Sequence, residues 1–371
     1  MILVGFSCRF FRSFSHFTWS PPPGLAVLAG PNGAGKSNLL EALAVFGNLS
    51  SFRPGPPASW VQHGQQGFYL KGELRGPLGF FVLEQEARLG HTLQRALRRS
   101  GRRLVPAEYL TLFPVATFSS HDRELILGPP QTRRRFLDRL AFHLQPQHLD
   151  VHWRFRRALR QRNAALSGGH REALDAFEGE LARWALQLVE SRLFALRQLT
   201  TALEAELERL GWLLPKPLLR YHAPEGLAAS TGGEQDLRHT LRRSRPLELA
   251  RGHTLVGPHR HDVAVTLSGR PARELLSAGQ VKLLATALRL AAVVVTTSRR
   301  KVAPLVVFDD VDAELDGGVL TPLLQRLAAL APQVVVSTAH PEVVLPRFPE
   351  ATVLPMQEGR PVGEAWQRSW W

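Results

Sequence analysis

The feature that most constrains this chain is the segment 30–37, which reads Gly-Pro-Asn-Gly-Ala-Gly-Lys-Ser. It follows an apolar run at 25–29 and precedes a stretch with helical spacing at 38–43. Glycines allow a tight turn whose backbone N–H groups point at phosphates, and the helix offers its positive N-terminal end. We expect Lys36 to reach the terminal phosphates and Ser37 to bind Mg²⁺. The pattern predicts a phosphate-binding loop (P-loop) in an α/β sheet rather than a purely structural turn.

The composition is that of a globular chain. With 371 residues and 44% hydrophobic content, it can form two or three domains, or one split domain with a large insert. Its longest apolar run, at 283–297, is interrupted by Arg289, and the first residues lack a signal-peptide pattern. The single cysteine, Cys8, excludes an internal disulfide and a cysteine-based zinc site. We therefore expect a soluble cytoplasmic protein without a membrane partner.

The charge of the chain indicates a polyanionic partner. The formal net charge is +14, and 41 of the 46 basic residues are arginine. A GC-rich genome would favour arginine over lysine, but it would not produce an excess of basic over acidic residues. Because nothing membrane-like accompanies the charge, nucleic acid is favoured over anionic lipid.

The order of predicted elements indicates an α/β domain interrupted by a helical insert. Short strands separated by glycine and proline clusters are predicted over 1–6, 25–29, 67–74 and 78–86. We expect a mixed sheet with an antiparallel edge. The predicted boundaries are 1–128 for the N-terminal part of a nucleotide-binding head, 129–250 for a mainly helical insert lobe, and 251–371 for the C-terminal part of the head.

The insert is predicted to contain a helical hairpin. Apolar residues recur mostly every three or four positions over 171–210, which is typical of one helix face. A shorter candidate helix covers 147–166, and the Ser-Gly-Gly sequence at 167–169 marks the turn between them. Beyond residue 252 we predict renewed alternation, with strands over 263–267, 305–308 and 334–337 and helices over 280–297 and 320–329.

An apolar strand ends in two carboxylates at residues 305–310, which read Leu-Val-Val-Phe-Asp-Asp. This is a Walker B pattern, in which Asp309 holds Mg²⁺ through its water shell and Asp310 orients the attacking water. The alternative is a capping pair of aspartates at a strand end. Many related ATPases carry the longer glutamate at the second position, so we expect slow hydrolysis.

Three further segments resemble motifs of ABC ATPases. Residues 276–280 read Leu-Ser-Ala-Gly-Gln and resemble the family signature, although alone this pentad would be an ordinary helix cap at Ser277. In that family the signature of one subunit closes on the nucleotide held by the P-loop of another. Residues 314–316 resemble the D-loop and end in Asp316, and His340 stands where the family places a sensor of the γ-phosphate.

Over most of its length the chain resembles the RecF family of bacterial recombinational repair proteins. The resemblance rests on residues 30–42, 51–53, 133–138, 161–163 and 254–262. It implies an α/β fold of the ABC-type P-loop ATPase class with an inserted helical-hairpin lobe and without long coiled coils. It also implies ATP and Mg²⁺ as cofactors, an ATP-dependent homodimer, binding to double-stranded and gapped DNA, and cooperation with RecR, RecO and RecA.

The expected site residues follow from these motifs. Catalytic roles are expected for Asp310 and His340, and Mg²⁺ ligation for Ser37 and Asp309. The segment at 118–122 lacks the proline expected near a Q-loop, so no Q-loop residue is assigned. The expected nucleotide-binding residues are Gly30, Pro31, Asn32, Gly33, Ala34, Gly35, Lys36, Ser37, Asn38, Ser277, Gly279, Gln280 and Asp316.

Arginine runs mark the candidate DNA contacts. Such runs form either solvated faces or phosphate-binding surfaces, and solvated faces are common. We see no interleaving of aromatic and basic residues, so we expect binding to follow the shape and charge of DNA rather than its bases. The clustered arginines are Arg95, Arg98, Arg99, Arg102, Arg103, Arg133, Arg134, Arg135, Arg154, Arg156, Arg157, Arg160, Arg162, Arg242, Arg243 and Arg245.

Together these observations predict an ATP-dependent, nucleoid-associated protein of DNA repair, recombination and replication. ATP drives dimerisation on DNA, and slow, DNA-stimulated hydrolysis releases the dimer. One alternative is a scaffold that binds ATP with negligible turnover. Another is the ATPase subunit of an ABC transporter, which the large helical insert and the basic charge disfavour.

Overall fold

The computed structural model describes residues 1–77, 79–223, 233–312 and 317–361. They form two compact units. The first unit contains Met1–Arg123, Glu206–Trp212 and the described residues from Ala278 onward, and the second contains the described residues of Glu124–Ala205 and Leu213–Ser277. The domain boundary predicted at residue 250 falls inside the second unit.

An antiparallel sheet forms one layer of the first unit. Strands and helices are numbered along the chain, and this sheet has the order β2-β1-β4-β5-β6-β7. Its strands are β1 Ile2–Phe11, β2 Phe14–Trp19, β4 Gly67–Gly76, β5 Gly79–Arg88, β6 Gln94–Arg99 and β7 Arg102–Leu104.

A second, mainly parallel sheet carries the predicted nucleotide motifs. Its strands are β3 Gly24–Ala29, β8 Val115–Phe118, β12 Leu305–Phe308, β13 Gln333–Thr338, β14 Thr352–Gln357 and β15 Arg360–Pro361. The order is β15-β14-β3-β13-β12-β8, and only β15 pairs antiparallel. The strands predicted over 25–29, 305–308 and 334–337 are confirmed, and the mixed α/β architecture agrees with the prediction.

Helix α1, Lys36–Asn48, contacts strands of both sheets. From Leu39 onward every residue of α1 is buried, because apolar side chains surround the whole helix. Glycines set the distance to each sheet. A Cβ on Gly72 would lie 2.4 Å from the ring of Phe46, and one on Gly47 would lie 2.2 Å from Cγ2 of Val115. Any larger residue at these two positions would push α1 away from β4 or β8.

The remaining helices of the first unit are α2 Pro106–Leu112, α9 Ala278–Arg300, α10 Gly317–Leu330 and α11 Pro341–Val344. Helix α9 lies along the edge strand β8. Arg289 bonds Asp122 just beyond the carboxyl end of β8 (2.8 Å), and Arg300 bonds the carbonyl oxygen of Thr111 before its start (2.6 Å). By length and hydropathy α9 resembles a membrane span, but 56% of its most apolar window is buried, as in a core helix.

The second unit is mainly helical, with α3 Glu124–Leu127, α4 Pro130–Leu144, α5 His148–Gly168, α6 Leu174–Arg209, α7 Glu234–Arg251 and α8 Ala272–Leu275. It also contains the sheet β11-β10-β9, formed by β9 Leu218–His222, β10 Asp262–Leu267 and β11 Arg270–Pro271. The predicted hairpin corresponds to α5 and α6. Helix α7, not predicted, completes its apolar core through Leu237 and Leu241.

Buried charges tie α5, α6 and α7 together. The guanidinium of Arg162 is fully buried and bonds Glu178 (2.9 Å), Glu248 (2.6 Å) and the hydroxyl of Thr254 (2.8 Å). Asn163 accepts a bond from the backbone N–H of Thr254 (2.9 Å). A buried charge is tolerated only when partners replace its water, and Arg162 has them on two other helices and one loop.

Replacing Arg162 by leucine should strongly destabilise the second unit. Glu178 and Glu248 would lose their bonds to Arg162, and removal of one partner from a buried pair costs about 3–5 kcal/mol. The measurement is the urea midpoint of the helical circular dichroism signal. Arg183→Gln, at an exposed position on α6, is the matched control and should change stability by less than about 0.5 kcal/mol. Equal midpoints for the two variants would contradict a supporting role for Arg162.

Candidate functional site

The predicted P-loop connects the end of β3 to the start of α1. Gly33 and Gly35 have φ angles of 84° and 93°, a region that side chains other than glycine rarely adopt. Gly35 is the N-cap residue of α1 and provides no side-chain cap, so the first N–H groups of the helix depend on other acceptors. Pro31, Asn32 and Gly33 are exposed at this end of α1. The loop thus presents backbone donors at the positive end of a helix, as an anion site requires.

Lys36 lies folded against the same loop. Its side chain is almost completely buried, and Nζ donates to the carbonyl oxygens of Gly30 (2.6 Å) and Pro31 (2.9 Å). The ammonium group is therefore held beside the backbone donors of the loop. In this position it is placed to interact with an anion bound there.

Asp309 accepts two hydrogen bonds with one oxygen. Oδ1 accepts from the hydroxyl of Ser37 (2.8 Å) and from the hydroxyl of Ser337 (2.8 Å). These residues come from the start of α1, the end of β12 and the end of β13, three elements that meet at the carboxyl edge of the sheet. Ser337 was not assigned a role from the sequence. It lies three residues before His340, to which the sequence did assign a role.

Asp310 is held in a strained backbone conformation. Its φ angle is 50°, in the left-handed region, and its N–H donates to the hydroxyl of Ser337 (2.8 Å). Burial raises the pKa of the Asp310 carboxyl above its usual value, and the adjacent Asp309 raises it further, while Lys36 opposes both effects. Ser337 thus bonds both residues of the Walker B pair, the carboxylate of Asp309 and the backbone of Asp310.

These residues fit a magnesium-bound nucleoside triphosphate. Within the described ranges, no group of three or more His, Cys, Asp or Glu side chains could hold a metal by itself. Mg²⁺ prefers oxygen ligands and is usually held by one or two protein groups together with substrate phosphates and water. The hydroxyl of Ser37 and the carboxylate of Asp309 supply such oxygens next to the phosphate loop. The donor set therefore suits a metal that arrives with its phosphates.

His340 follows β13, the strand that lies between β3 and β12. Its backbone N–H donates to the hydroxyl of Thr338 (2.8 Å), and its ring Nδ1 lies 3.2 Å from the carboxylate of Glu342. The side chain is 65% exposed. The ring therefore stands at the same edge of the sheet as the P-loop and is accessible.

The signature residues lie at and just before the start of α9. Ser277, Ala278 and Gly279 are exposed, and a Cβ on Gly279 would meet nothing within 4 Å. Gln280 is half-buried in the first turn of the helix. The D-loop residues, including Asp316, lie outside the described residues.

Glu41 and Asn38, both on α1, are held by residues outside the P-loop motif. The carboxylate of Glu41, fully buried on α1, pairs with Arg12 at 2.8 Å and accepts from the hydroxyl of Ser51 at 2.6 Å. The amide of Asn38 bonds Ser13 (2.9 Å) and Arg53 (3.0 Å), so its described contacts are with protein. In the sequence, the single carboxylate of Glu41 within the apolar stretch of α1 indicates a buried charge that needs partners.

The turn between β14 and β15 also contacts the P-loop. The N–H of Gly359 donates to the carbonyl oxygen of Ala34 (3.0 Å). A Cβ on Gly30 would lie 2.2 Å from the carbonyl oxygen of Met356, so only glycine allows this approach. The C-terminal hairpin therefore supports the loop from the side of β14.

Several of the clustered arginines have structural roles. Arg133 pairs with Asp262 at 2.8 Å, Arg134 donates to the carbonyl oxygen of His261, and Arg245 pairs with Glu178 at 2.6 Å. Arg95 lies over the ring of Trp60 and donates to the carbonyl oxygen of Leu49. The clustered arginines that are exposed are Arg102, Arg103, Arg135, Arg154, Arg156, Arg157, Arg160, Arg242 and Arg243. Of these, Arg154 pairs with Asp150 and Arg242 pairs with Asp175.

Replacing Ser337 by alanine should weaken binding of magnesium and ATP about tenfold or more. The change removes one hydrogen bond to a carboxylate and one from the strained backbone of Asp310, and a bond to a charged group contributes about 1.5–3 kcal/mol. The measurement is calorimetric titration with a non-hydrolysable ATP analogue and Mg²⁺. Ser59→Ala is the control, because that hydroxyl bonds only within an exposed turn (2.8 Å to the Pro56 oxygen). Unchanged affinity in Ser337→Ala would show that the hydrogen bonds of Ser337 are dispensable for nucleotide binding.

Comparison with solved structures supports the fold. The chain aligns over 97% of its length with a RecF structure determined with ATP, at a TM-score of 0.86 and 23% identity, and covers 98% of that chain. An Smc head bound to the C-winged-helix domain of ScpA aligns at a TM-score of 0.53 and 15% identity, with 97% and 96% of the two chains covered. Both alignments support the α/β fold with two sheets described above.

Sequence comparison then identifies the family. The family model described as the RecF/RecN/SMC N-terminal domain matches residues 2–346. A DNA replication and repair protein RecF from Anaeromyxobacter sp. (strain Fw109-5) is 32% identical over 97% of this chain and 98% of its own. One from Deinococcus deserti is 36% identical over 91% and 90% of the two chains. The chain therefore belongs to the RecF family of DNA replication and repair proteins.

Proposed function

We propose that this protein is a slow, DNA-stimulated ATPase that dimerises on double-stranded or gapped DNA when it binds ATP and leaves the DNA after hydrolysis. Two ATP molecules lie between two protomers, each held by the P-loop of one and the signature of the other. Such a ligand shifts the population toward the dimer because it binds the closed pair better than the monomer.

The observation that carries this proposal is the position of the signature relative to the P-loop of the same chain. Strands β3 and β8 are three steps apart in the sheet, or about 14 Å at the usual strand spacing. Helix α9 lies along β8, and Gly279 precedes Arg289 by ten residues, so it projects about 15 Å beyond the contact with Asp122. Both offsets separate Gly279 from the P-loop of its own chain. A second protomer can supply the missing signature.

The side chains at the site then have separate roles. Lys36 and the backbone donors of the loop neutralise the phosphates that ATP brings. Ser37 and Asp309 hold the metal ion, and Asp310 accepts a proton from the attacking water. His340 and Asp316 sense the terminal phosphate and the partner protomer, as the family motifs imply.

The relatives support the biological setting. They are named as DNA replication and repair proteins, and the aligned solved RecF structures carry ATP or ATPrS and are described as recombination mediators of the RecFOR pathway. By this relationship we assign the protein to recombinase loading at DNA gaps, with RecR, RecO and RecA as partners, in the cytoplasm at the nucleoid. The same relationship argues against a transporter subunit.

The shared site is tested by sedimentation velocity with ATP, Mg²⁺ and duplex DNA. Lys36→Met removes a phosphate contact, and Ser277→Arg blocks the exposed signature, so both variants should remain monomeric while the wild type dimerises. Ser268→Arg adds the same bulk on the exposed turn between β10 and β11 and should dimerise normally. Dimers of Lys36→Met or Ser277→Arg would refute the shared-site mechanism.

The role of Asp310 predicts a pH dependence of single-turnover hydrolysis. Asp310 accepts a proton only when ionised, and its pKa is raised. The rate should therefore fall as the pH is lowered, at a pH above the value of about 4 that is usual for aspartate. Asp310→Asn should bind ATP normally and hydrolyse it at least about 100-fold more slowly at every pH. If Asp310→Asn hydrolyses ATP as fast as the wild type, and DNA stimulates neither protein, the result would favour the ATP-binding scaffold instead.

A further inference from the structure

The solvent-facing side of α5 combines an exposed tryptophan with three arginines. Trp153, Arg156, Arg157 and Arg160 follow the spacing i, i+3, i+4 and i+7, so they share one face of the helix, here called the Trp153 face. Phe155, which stands between them in the sequence, is buried in the apolar core of the second unit. Residues 153–157 read Trp-Arg-Phe-Arg-Arg and thus do interleave aromatic and basic residues, contrary to the sequence analysis.

The three arginines of this face differ from the structural arginines of the same unit. Within the described ranges, the side chains of Arg156, Arg157 and Arg160 make no hydrogen bond or ion pair. The side chain of Arg162, on the opposite side of α5, bonds both Glu178 and Glu248. The acid nearest in sequence, Asp150, pairs with Arg154 at 2.7 Å. The face therefore carries positive charge without a compensating carboxylate of its own.

Trp153 is unusual among the large apolar side chains. Its indole is 64% exposed, although a tryptophan gains most from burial. An exposed ring beside guanidinium groups matches the surfaces on which unpaired bases stack while their phosphates meet arginine. From Trp153 to Arg160 the face extends about 10 Å, the length of roughly three nucleotide steps.

We propose that the Trp153 face binds single-stranded DNA, with an unpaired base stacked on the indole of Trp153 and the phosphates on Arg156, Arg157 and Arg160. This inference rests on the proposed DNA-binding function and adds which residues contact the unpaired strand of a gap. In a duplex the faces of the bases are covered by their neighbours, so the indole has no partner there. An acidic peptide would satisfy the arginines, but the flat exposed indole favours a base.

The test uses the full-length protein and labelled oligonucleotides in a fluorescence anisotropy titration. Three DNAs are compared with and without ATP: a 20-nucleotide oligothymidine, an abasic strand of the same length, and a blunt duplex. The abasic strand has the same phosphates without bases, so it isolates the stacking contribution. The wild type should bind oligothymidine about tenfold more tightly than the abasic strand.

Trp153→Ala should remove this difference and leave binding to the duplex unchanged, and Trp153→Phe should restore most of it because a ring is present again. Replacing Arg156, Arg157 and Arg160 by glutamine should weaken binding to both single strands. It should also reduce the slope of log affinity against log salt by about 2. Arg220→Gln, exposed on β9, is the charge control and should leave both readouts near their wild-type values.

Failure of this inference can be told from failure of the proposed function. If the wild type binds the duplex with ATP but does not distinguish oligothymidine from the abasic strand, the stacking site is refuted and the proposed function stands. If Trp153→Ala lowers affinity for all three DNAs equally, stacking is also refuted. If Trp153→Ala binds every DNA like the wild type, the face serves a protein partner instead. If the wild type binds no DNA, both proposals fail.

Discussion

The candidate site depends on one carboxylate oxygen. Oδ1 of Asp309 accepts from both Ser37 and Ser337, and it thereby joins the first helix of the chain to two strands from its last third. Each hydroxyl donates a single hydrogen bond, and the two bonds together fix the orientation of the carboxylate without a metal. The oxygen is thus already oriented before a cation arrives, which lowers the entropy lost on binding.

The rest of the first unit keeps this arrangement rigid. Helix α1 is buried between two sheets, and Gly47 and Gly72 allow it to approach each sheet more closely than any side chain would permit. Interiors are packed as densely as crystals, so a shift of α1 would displace both sheets. This packing holds the P-loop in one position. The signature at the start of α9, in contrast, is exposed.

The sequence predicted the parts of the fold and site whose signals are local. Strands β3 and β12, helix α9 and the carboxylates of Asp309 and Asp310 follow from periodicity and short motifs. Ser337 and Gly359 were missed because their roles arise only when distant segments pair. Helix α7 was missed because it is strongly charged and contains Pro246. Trp153 was overlooked because the sequence does not show that Trp153 is exposed while the nearby Phe155 is buried.

The support of the P-loop by Gly359 has a consequence for synthesis of the protein. Strand β3 is made early, yet its two neighbours in the sheet, β13 and β14, are both made near the end of the chain. At ~5–20 residues per second, β3 waits about 15–70 s for these partners. Until then the hydrogen-bonding edges of β3 lack their native partners, and the P-loop lacks the contact with Gly359. The P-loop therefore reaches its supported conformation only after β13, β14 and the turn at Gly359 have been made.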